Sequence, residues 1–210
     1  MGWAESTCGR DTCPLVQCGM VLLFDVMDTL VRDPFRDMPA FFGMTLAEML
    51  EAKHPTAWVD FESGHIDEPT FLARFFADGR SYDHDAFRAY VRQGYRLLEG
   101  TESLLTELRS ADVPVHLLSN YPCWYRMVEE RLGLSRFAKW SFVSCETGLR
   151  KPEPEAYLHA ARGLAMPPEA CLFVDDRKRN CAAARAVGMD AIRFVDTAAL
   201  RDELALRGIP

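Results

Sequence analysis

Short apolar runs recur along this chain, and each ends abruptly at polar residues. The run Val21-Leu22-Leu23-Phe24 stops at Asp25. An uninterrupted apolar run of this length is typical of a strand that is buried on both faces of a parallel sheet. The same pattern predicts four further strands, at Val113–Leu118, Trp140–Ser144, Cys171–Val174 and Ala191–Phe194.

Apolar residues at helical spacing separate these strands. Leu104, Leu105, Leu108 and Ala111 mark one face of a helix that begins near Thr101. Further helices are predicted at Trp124–Leu132, at Glu155–Arg162 after Pro154, and at Ala182–Val187 before Gly188. Because strands alternate with helices, we predict an α/β fold with an open parallel sheet flanked by helices.

A long insertion, roughly Val31 to Glu99, separates the first two strands of the predicted sheet. It is too long for an ordinary loop and carries apolar residues at helical spacing, such as Phe71, Leu72 and Phe75. We therefore predict a small helical cap. The predicted division is an N-terminal extension at 1–19, an α/β core at 20–31 and 100–210, and a cap at 32–99.

The composition narrows the classes of partner. The 210 residues carry a formal net charge of −7 and no basic stripe, so a nucleic-acid partner is not expected. No apolar run approaches the ~20 residues that span a bilayer, so we expect a soluble protein with no membrane partner. Cys8, Cys13 and Cys18 recur every five residues, which fits neither a zinc finger nor a redox pair, and their role stays open. The oligomeric state is also open.

The residues that carry chemistry follow the predicted strands. Asp25, Ser119 and the pair Asp175-Asp176 each come directly after an apolar run, and Lys151 precedes a predicted helix. Each of them alone is equally typical of a helix cap, a turn or a solvated loop. In open α/β sheets, however, the carboxyl ends of the strands converge on the ligand crevice. Clustered carboxylates repel one another, and Mg²⁺, which prefers hard oxygen ligands, would relieve that repulsion.

Four segments, in this order, resemble the motifs of the haloacid dehalogenase superfamily: LFDVMDTL at 23–30, LLSN at 117–120, RKPEPEAY at 150–157 and FVDDRKRN at 173–180. The resemblance covers most of the chain from about Met20 onward, and it implies a Rossmann-like core with a cap inserted after the first strand. It also implies a Mg²⁺-dependent phosphatase that hydrolyses a small phosphate monoester through an aspartyl phosphate.

The resemblance assigns roles to residues. It makes Asp25 the nucleophile and a metal ligand, with Asp176 as a further ligand and Asp175 supporting the metal indirectly. It places Thr29, Ser119 and Asn120 on the phosphate, and it makes Lys151 the cation that neutralises developing negative charge. These parts agree with the needs of phosphoryl transfer, which are alignment and charge neutralisation.

Met27 departs from the family pattern, which has an aspartate there as general acid and base. The Met27 backbone carbonyl can still serve the metal, but its side chain cannot protonate a leaving alkoxide. General acid–base assistance is typically worth ~10²–10⁴-fold in rate, so turnover should be slow unless another group replaces the aspartate. Asp28, one position later, is the candidate replacement. Two alternatives stay open: a metal-independent dehalogenase, against which Asp175-Asp176 argue, and a weakly active binding protein.

The segments DVMDTLVRDPF at 25–35 and PAFFGM at 39–44 resemble a plant and algal subgroup that includes a plastid flavin mononucleotide (FMN) hydrolase. That resemblance suggests FMN as substrate, converted to riboflavin and phosphate. Phe35, Phe41, Phe42 and Trp58 either stack on the flavin ring or pack the cap. The chain as it stands suggests a cytoplasmic location, with the chloroplast as the alternative if its N-terminus is incomplete or processed.

Overall fold

The computed structural model describes residues 19–210, and the three N-terminal cysteines lie outside the described residues. Its main sheet is parallel and has five strands in the order β5-β4-β1-β6-β7. These strands are β1 (Val21–Phe24), β4 (Val115–Ser119), β5 (Lys139–Val143), β6 (Cys171–Asp175) and β7 (Asp190–Arg193). All five strands expected from the sequence are present, with ends shifted by one or two residues, and the α/β prediction is confirmed.

Strand β1 lies at the centre of this sheet, and its side chains alternate between two hydrophobic clusters. Leu22 and Phe24 belong to the larger cluster and Leu23 to the smaller one, each with no exposed surface. Alternation of side chains along a strand buries an apolar residue at every position only when both faces of the sheet are covered. The fully apolar run therefore places β1 between two layers of helices.

Helices of the α/β portion form these layers. They are α6 (Thr101–Ser110), α7 (Tyr125–Leu132), α8 (Ser144–Thr147), α9 (Pro154–Gly163), α10 (Lys178–Ala186) and α11 (Thr197–Ala205). Leu104, Leu105 and Leu108 of α6 are buried, as their helical spacing predicts. Helix α10 begins four residues before the predicted start, and α11 was not predicted. The Asp196 side chain caps α11 by accepting a hydrogen bond from the Ala199 N–H.

The insertion is helical, as expected. It contains α1 (Met38–Phe41), α2 (Leu46–Ala52), α3 (Ala57–Glu62), α4 (Glu68–Ala73) and α5 (His84–Gly94). A short antiparallel ribbon of β2 (Val31–Arg32) and β3 (Arg96–Leu97) closes its two ends, and the sequence pattern did not reveal this ribbon because each strand has only two residues. No helix within residues 19–210 is long and apolar enough to cross a membrane.

Aromatic rings fill the interior of the helical insertion. The rings of Phe61 and Phe71 stack with their centroids 4.4 Å apart, and Phe42 packs against both Phe75 and Phe87. These rings belong to the same hydrophobic cluster as the side chains beneath the sheet. The insertion is therefore packed against the α/β portion through a continuous apolar contact.

Candidate active site

The carboxyl ends of three neighbouring strands carry the polar residues singled out in the sequence. Asp25 directly follows β1, Ser119 ends β4 and Asp175 ends β6. Since β4, β1 and β6 are adjacent and parallel, their carboxyl ends lie side by side at one edge of the sheet. The fold brings these three residues together from positions that are far apart in the sequence.

Lys151 reaches this edge from the loop before α9, and its side chain is buried. The ammonium Nζ donates to Asp25 Oδ1 at 2.6 Å, to Asp175 Oδ2 at 2.8 Å and to the Leu118 carbonyl at 2.7 Å. An ammonium has three donors, so all of them are used. Burial lowers the pKa of Lys151, but the charges of Asp25 and Asp175 outweigh burial and raise it on balance. The lysine is a fixed positive charge between two carboxylates.

Asn120 holds the backbone of Lys151 in place. Its Nδ2 donates to the Lys151 carbonyl at 2.8 Å, and its Oδ1 accepts from the Lys151 N–H at 2.9 Å. The resemblance placed Asn120 on the phosphate, and that role stays a prediction. What the structure shows is that this side-chain amide bonds to the lysine loop.

The Asp25 carboxyl lies in an environment that disfavours its charge. Burial raises its pKa, Lys151 lowers it, and the neighbouring Asp175 and Asp176 raise it, with a net value of about 7. Thr29 Oγ1 donates to Asp25 Oδ2 at 3.3 Å and accepts from the Asp176 N–H at 3.2 Å. A further positive charge beside Asp25 would favour its ionised, nucleophilic form.

A divalent cation fits the three acids of the site. Ligand oxygens of Asp25, Asp175 and Asp176 lie within 4.8 Å of one another. The oxygen Asp176 Oδ1 is buried and accepts no hydrogen bond within residues 19–210, although Arg177 Nε lies 3.9 Å away. A buried carboxylate oxygen without a partner is costly. Hard oxygen donors of this kind suit Mg²⁺.

Asp175 is already engaged by the protein. Its Oδ1 accepts from the Arg177 N–H and from Asn180 Nδ2, and its Oδ2 accepts from Asn180 Nδ2 and Lys151 Nζ. Asp176 Oδ1, in contrast, accepts no hydrogen bond within residues 19–210. The difference agrees with the expectation that Asp176 ligates directly while Asp175 supports the site, although both roles remain predictions.

A cavity of about 330 Å³ opens beside these residues. It is lined by Asp25, Asn120 and Lys151 of the α/β portion together with aromatic side chains of the insertion. Among the four aromatic residues considered for stacking, Phe35 and Trp58 line the cavity. Phe41 and Phe42 instead pack against Phe87. Cavities of ~300–1,000 Å³ are the usual size for small-molecule sites.

The cavity also contains residues that sequence reasoning missed. Arg150 and Arg177 line it, and each directly follows or precedes a residue that the motifs had singled out. Glu62 lines it from α3 and accepts a hydrogen bond from Arg150 Nε at 2.9 Å. Asp33, which follows β2, is a fourth. The signal available for the two arginines was their position beside motif residues. Asp33 lies in the segment 25–35 that carries the subgroup resemblance, whereas Glu62 carried no signal.

Ser119 and Asp28 complete the predicted set. The Ser119 hydroxyl is buried and has no hydrogen-bond partner in the described part of the chain, so it can donate to a ligand. Asp28 is exposed and does not line the cavity, and its Oδ1 accepts the Asp33 N–H at 3.0 Å. Met27 is buried and lines the cavity, while the role of its carbonyl stays a prediction.

Comparison with known proteins gives three results. The family model of haloacid dehalogenase-like hydrolases matches residues 20–188. Flavin mononucleotide hydrolase 1, chloroplastic, of Arabidopsis thaliana is 45% identical over 190 residues, which cover 90% of this chain and 78% of that protein. A crystal structure of a family enzyme from Bacteroides thetaiotaomicron, in complex with magnesium and inorganic phosphate, superimposes with a TM-score of 0.68 at 20% identity, covering 85% of this chain and 95% of that one. At that identity the superposition shows the shared fold.

Proposed function

This chain belongs to the haloacid dehalogenase-like hydrolase family and is a phosphatase of that family, and we propose that it hydrolyses FMN to riboflavin and phosphate through a phosphorylated Asp25. One observation carries the proposal. The Asp25 carboxylate is held 2.6 Å from the buried Lys151 ammonium, in a cavity that aromatic and cationic side chains also line. That arrangement suits a ligand with a phosphate at one end and a flat ring at the other.

Asp25 acts as the nucleophile in two steps. One of its carboxylate oxygens forms a bond to phosphorus while the bond between phosphorus and the ester oxygen breaks, and riboflavin leaves. A water oxygen then bonds to phosphorus, the bond from phosphorus to Asp25 breaks, and inorganic phosphate leaves. Splitting the hydrolysis in this way replaces one difficult displacement by two easier ones.

The surrounding residues position the phosphate and neutralise its charge. Lys151 offsets the repulsion between the phosphate and the attacking carboxylate. Its ammonium is already held beside Asp25 and Asp175, so it need not move during the reaction. We assign the unpartnered Ser119 hydroxyl to the phosphate oxygens as a donor, together with the Thr29 hydroxyl, which would turn from Asp25 to the phosphate. Asn120 acts through Lys151, whose backbone it holds.

The acids would hold Mg²⁺ through Asp25, Asp176 and the Met27 backbone carbonyl, with Asp175 supporting indirectly. The metal supplies positive charge where the phosphoryl oxygens become more negative. Support for this part of the proposal comes from the vacant Asp176 Oδ1 and from the spacing of the three acids.

The insertion provides the substrate specificity in this proposal. We assign residues 32–99 as a cap over the core formed by 20–31 and 100–210. Phe35 and Trp58 supply apolar ring faces, and Arg150 and Arg177 supply positive charge in the same cavity. A flavin ring would stack on such faces. The identity with the Arabidopsis FMN hydrolase extends over 90% of this chain, which includes much of the insertion. Its chloroplastic name favours the plastid as the location.

A phosphate-release assay tests the substrate. The purified protein is incubated with Mg²⁺ and FMN, ribose 5-phosphate, glyceraldehyde 3-phosphate or 2-chloropropionate, and phosphate, riboflavin and chloride are measured. We expect riboflavin and phosphate in equal amounts, with FMN having the highest kcat/KM of the four. Preference for another phosphate ester would refute the flavin assignment, and chloride release without phosphatase activity would favour the dehalogenase.

Asp25→Asn tests the nucleophile, and Asp202→Asn, at an exposed position of α11, is the matched control. We expect hydrolysis of every ester to vanish in Asp25→Asn and to stay at the wild-type level in Asp202→Asn. Acid quenching of the wild type during turnover should leave one phosphoryl group on the peptide that contains Asp25. Undiminished turnover in Asp25→Asn, or a phosphoryl group on another residue, would overturn the mechanism.

A further inference from the structure

None of the residues given a role so far can donate a proton to the leaving oxygen. Riboflavin leaves FMN as an alkoxide, which is a strong base, so the reaction needs a general acid. Met27 has a thioether side chain and cannot transfer a proton. Lys151 uses its three donors on Asp25, Asp175 and Leu118. Asp28 is exposed and lies outside the cavity lining.

Outside the cluster of Asp25, Asp175 and Asp176, two carboxylic acids of the described residues line the cavity. They are Asp33 and Glu62. Glu62 is already bonded to Arg150 and to Trp58 Nε1, so both of its oxygens have partners. Asp33 Oδ1 accepts the Phe35 N–H at 2.9 Å, whereas its Oδ2 has no partner within residues 19–210. One carboxyl oxygen of Asp33 is therefore fixed, and the other is available.

The backbone around Asp33 holds this carboxyl in place. Asp28 Oδ1 accepts the Asp33 N–H at 3.0 Å, and Pro34 follows directly. Asp33 also caps the short turn Pro34–Arg36, through its bond to Phe35. Asp28 thus contacts the backbone of the residue that faces the cavity. Because the Asp33 backbone N–H and one carboxyl oxygen are both fixed, the side chain is positioned for repeated proton transfer.

We propose that Asp33 is the general acid and then the general base of this phosphatase, in place of the aspartate that Met27 replaces. The assignment rests on the proposed phosphatase mechanism and adds a catalytic residue to it. Asp33 lies at the junction between the ribbon strand β2 and the helical insertion, where it shares one cavity with Asp25 and Lys151.

Protons balance in both steps. In the first step, the bond from phosphorus to the ester oxygen breaks as Asp25 attacks, and the Asp33 carboxyl gives its proton to that oxygen to form the alcohol. In the second step, the Asp33 carboxylate takes a proton from the water whose oxygen bonds to phosphorus. The bond from phosphorus to Asp25 breaks, and Asp33 is protonated again for the next cycle.

The surroundings of Asp33 keep part of it protonated near neutral pH. Burial raises the pKa of Asp33, and the net value is about 6 although the Phe35 N–H lowers it. The ideal pKa of such a group lies near the working pH. Among the charged groups near Asp33, Asp28 raises its pKa, whereas Arg177 and Arg32 lower it. The charge of Asp33 in turn raises the pKa of the Tyr95 and Tyr121 hydroxyls.

Two esters with different leaving groups test the role. Asp33→Asn keeps the acceptor for the Phe35 N–H but cannot transfer a proton. With FMN, or with the alkyl phosphate that the wild type hydrolyses fastest, we expect single-turnover phosphorylation of Asp25 to fall by roughly 10²–10⁴-fold. With p-nitrophenyl phosphate, whose leaving group needs no proton, phosphorylation should be retained. The variant should then release a burst of one p-nitrophenol per enzyme before slow turnover.

A rescue experiment distinguishes proton transfer from a structural effect. Met27→Asp in the Asp33→Asn background should restore turnover of the alkyl ester, because it returns a carboxyl to the first strand loop. Asp33→Ser, which also keeps a capping oxygen, should show the same leaving-group dependence as Asp33→Asn, and Asp202→Asn should match the wild type.

Three results would overturn the assignment. These are wild-type turnover of the alkyl ester by Asp33→Asn, an equal loss in the single-turnover phosphorylation rate with both esters, and a loss of that rate confined to the alkyl ester in Asp28→Asn instead. Failure of the underlying phosphatase proposal is distinct from all three, since it requires that Asp25→Asn retain activity or that the wild type hydrolyse neither ester.

Discussion

Asn120 and Lys151 are joined by two hydrogen bonds that run in opposite directions, from Nδ2 to the lysine carbonyl at 2.8 Å and from the lysine N–H to Oδ1 at 2.9 Å. Asn120 follows β4 and Lys151 precedes α9. The pair therefore ties two loops together at the edge of the sheet, and it sets the point from which the lysine ammonium reaches Asp25.

Asn120→Ala should lower kcat by roughly 10–100-fold, since losing two hydrogen bonds of about 1 kcal/mol each removes that much positioning of Lys151. KM should change little, because the asparagine acts through the lysine. Steady-state kinetics on FMN measures both parameters, and circular dichroism checks the fold. A large rise in KM at unchanged kcat would instead place the Asn120 amide on the substrate.

Mg²⁺ should raise the melting temperature through the acid cluster. At a concentration of 100 times the Kd, a ligand that binds only the folded state stabilises it by about 2.7 kcal/mol, which corresponds to roughly 5–10 °C for a chain of this size. Asp176→Asn should lose most of this shift, because it removes a charge from the oxygen pair that contains the unpartnered Oδ1. Thermal denaturation with and without Mg²⁺ measures the effect.

The control for the metal prediction is Asp202→Asn, which removes an exposed acid and should keep the full shift. Without Mg²⁺, Asp176→Asn should be at least as stable as the wild type, since its carboxylate lies beside Asp175 and the removal of one charge relieves repulsion. An equal shift in Asp176→Asn and the wild type would show that the metal binds elsewhere.

Glu62 anchors the helical insertion to the α/β portion. Its carboxylate accepts hydrogen bonds from Arg150 Nε at 2.9 Å and from Trp58 Nε1 at 2.7 Å, and its backbone carbonyl accepts from the Ser144 hydroxyl. Glu62→Ala leaves the Arg150 and Trp58 donors without this partner. We expect a loss of roughly 2–4 kcal/mol in the free energy of unfolding, because breaking a largely buried pair leaves the Arg150 guanidinium without its counter-charge.

Glu155→Ala is the matched control for Glu62→Ala, because Glu155 pairs with Arg162 at the surface. Exposed pairs contribute about 0–1 kcal/mol. Urea denaturation of both variants gives the comparison. Glu62→Ala should also raise KM for FMN, since Arg150 and Trp58 both line the cavity. Equal destabilisation of the two variants would mean that Glu62 does not anchor the insertion.

Strand positions and the cluster at their carboxyl ends could be predicted from the sequence. Val21–Phe24 is apolar at every position because the strand is covered on both faces, and the polar residue that follows must then lie at the sheet edge. The same reasoning located Ser119 and Asp175. Topology alone brings these residues together, so no knowledge of side-chain packing was needed.

The direction of individual side chains could not be predicted in this way. Asn120 follows a strand just as Ser119 ends one, yet its amide contacts the lysine loop, which is 31 residues away in the sequence. Asp28 lies between β1 and β2 and Asp33 directly follows β2, and of these two acids only Asp33 lines the cavity. These outcomes depend on how the insertion packs over the sheet edge, which periodicity does not encode.

Titration of Asp33 should appear in the stability of the protein, independently of activity. Burial raises the pKa of Asp33 from 3.8 to about 6 in the folded state. Between these two values the folded protein binds a proton that the unfolded chain has lost, so the free energy of unfolding falls as pH rises. About a third of the penalty on the charged form is present at pH 4.5, and the penalty is complete above pH 7.

Asp33→Asn cannot ionise and should escape this penalty. Relative to that of the wild type, its free energy of unfolding should increase by roughly 2 kcal/mol between pH 4.5 and pH 7.5, which is the part of the full penalty of about 3 kcal/mol, at 1.36 kcal/mol for each unit of pKa shift, that develops between these two pH values. Urea denaturation at the two pH values measures the difference, and Asp202→Asn supplies the control for an exposed aspartate. A difference that stays constant with pH, or one that grows in the opposite direction, would show that the Asp33 pKa is not raised, and Asp33 would then be fully ionised at neutral pH and unable to act as the acid.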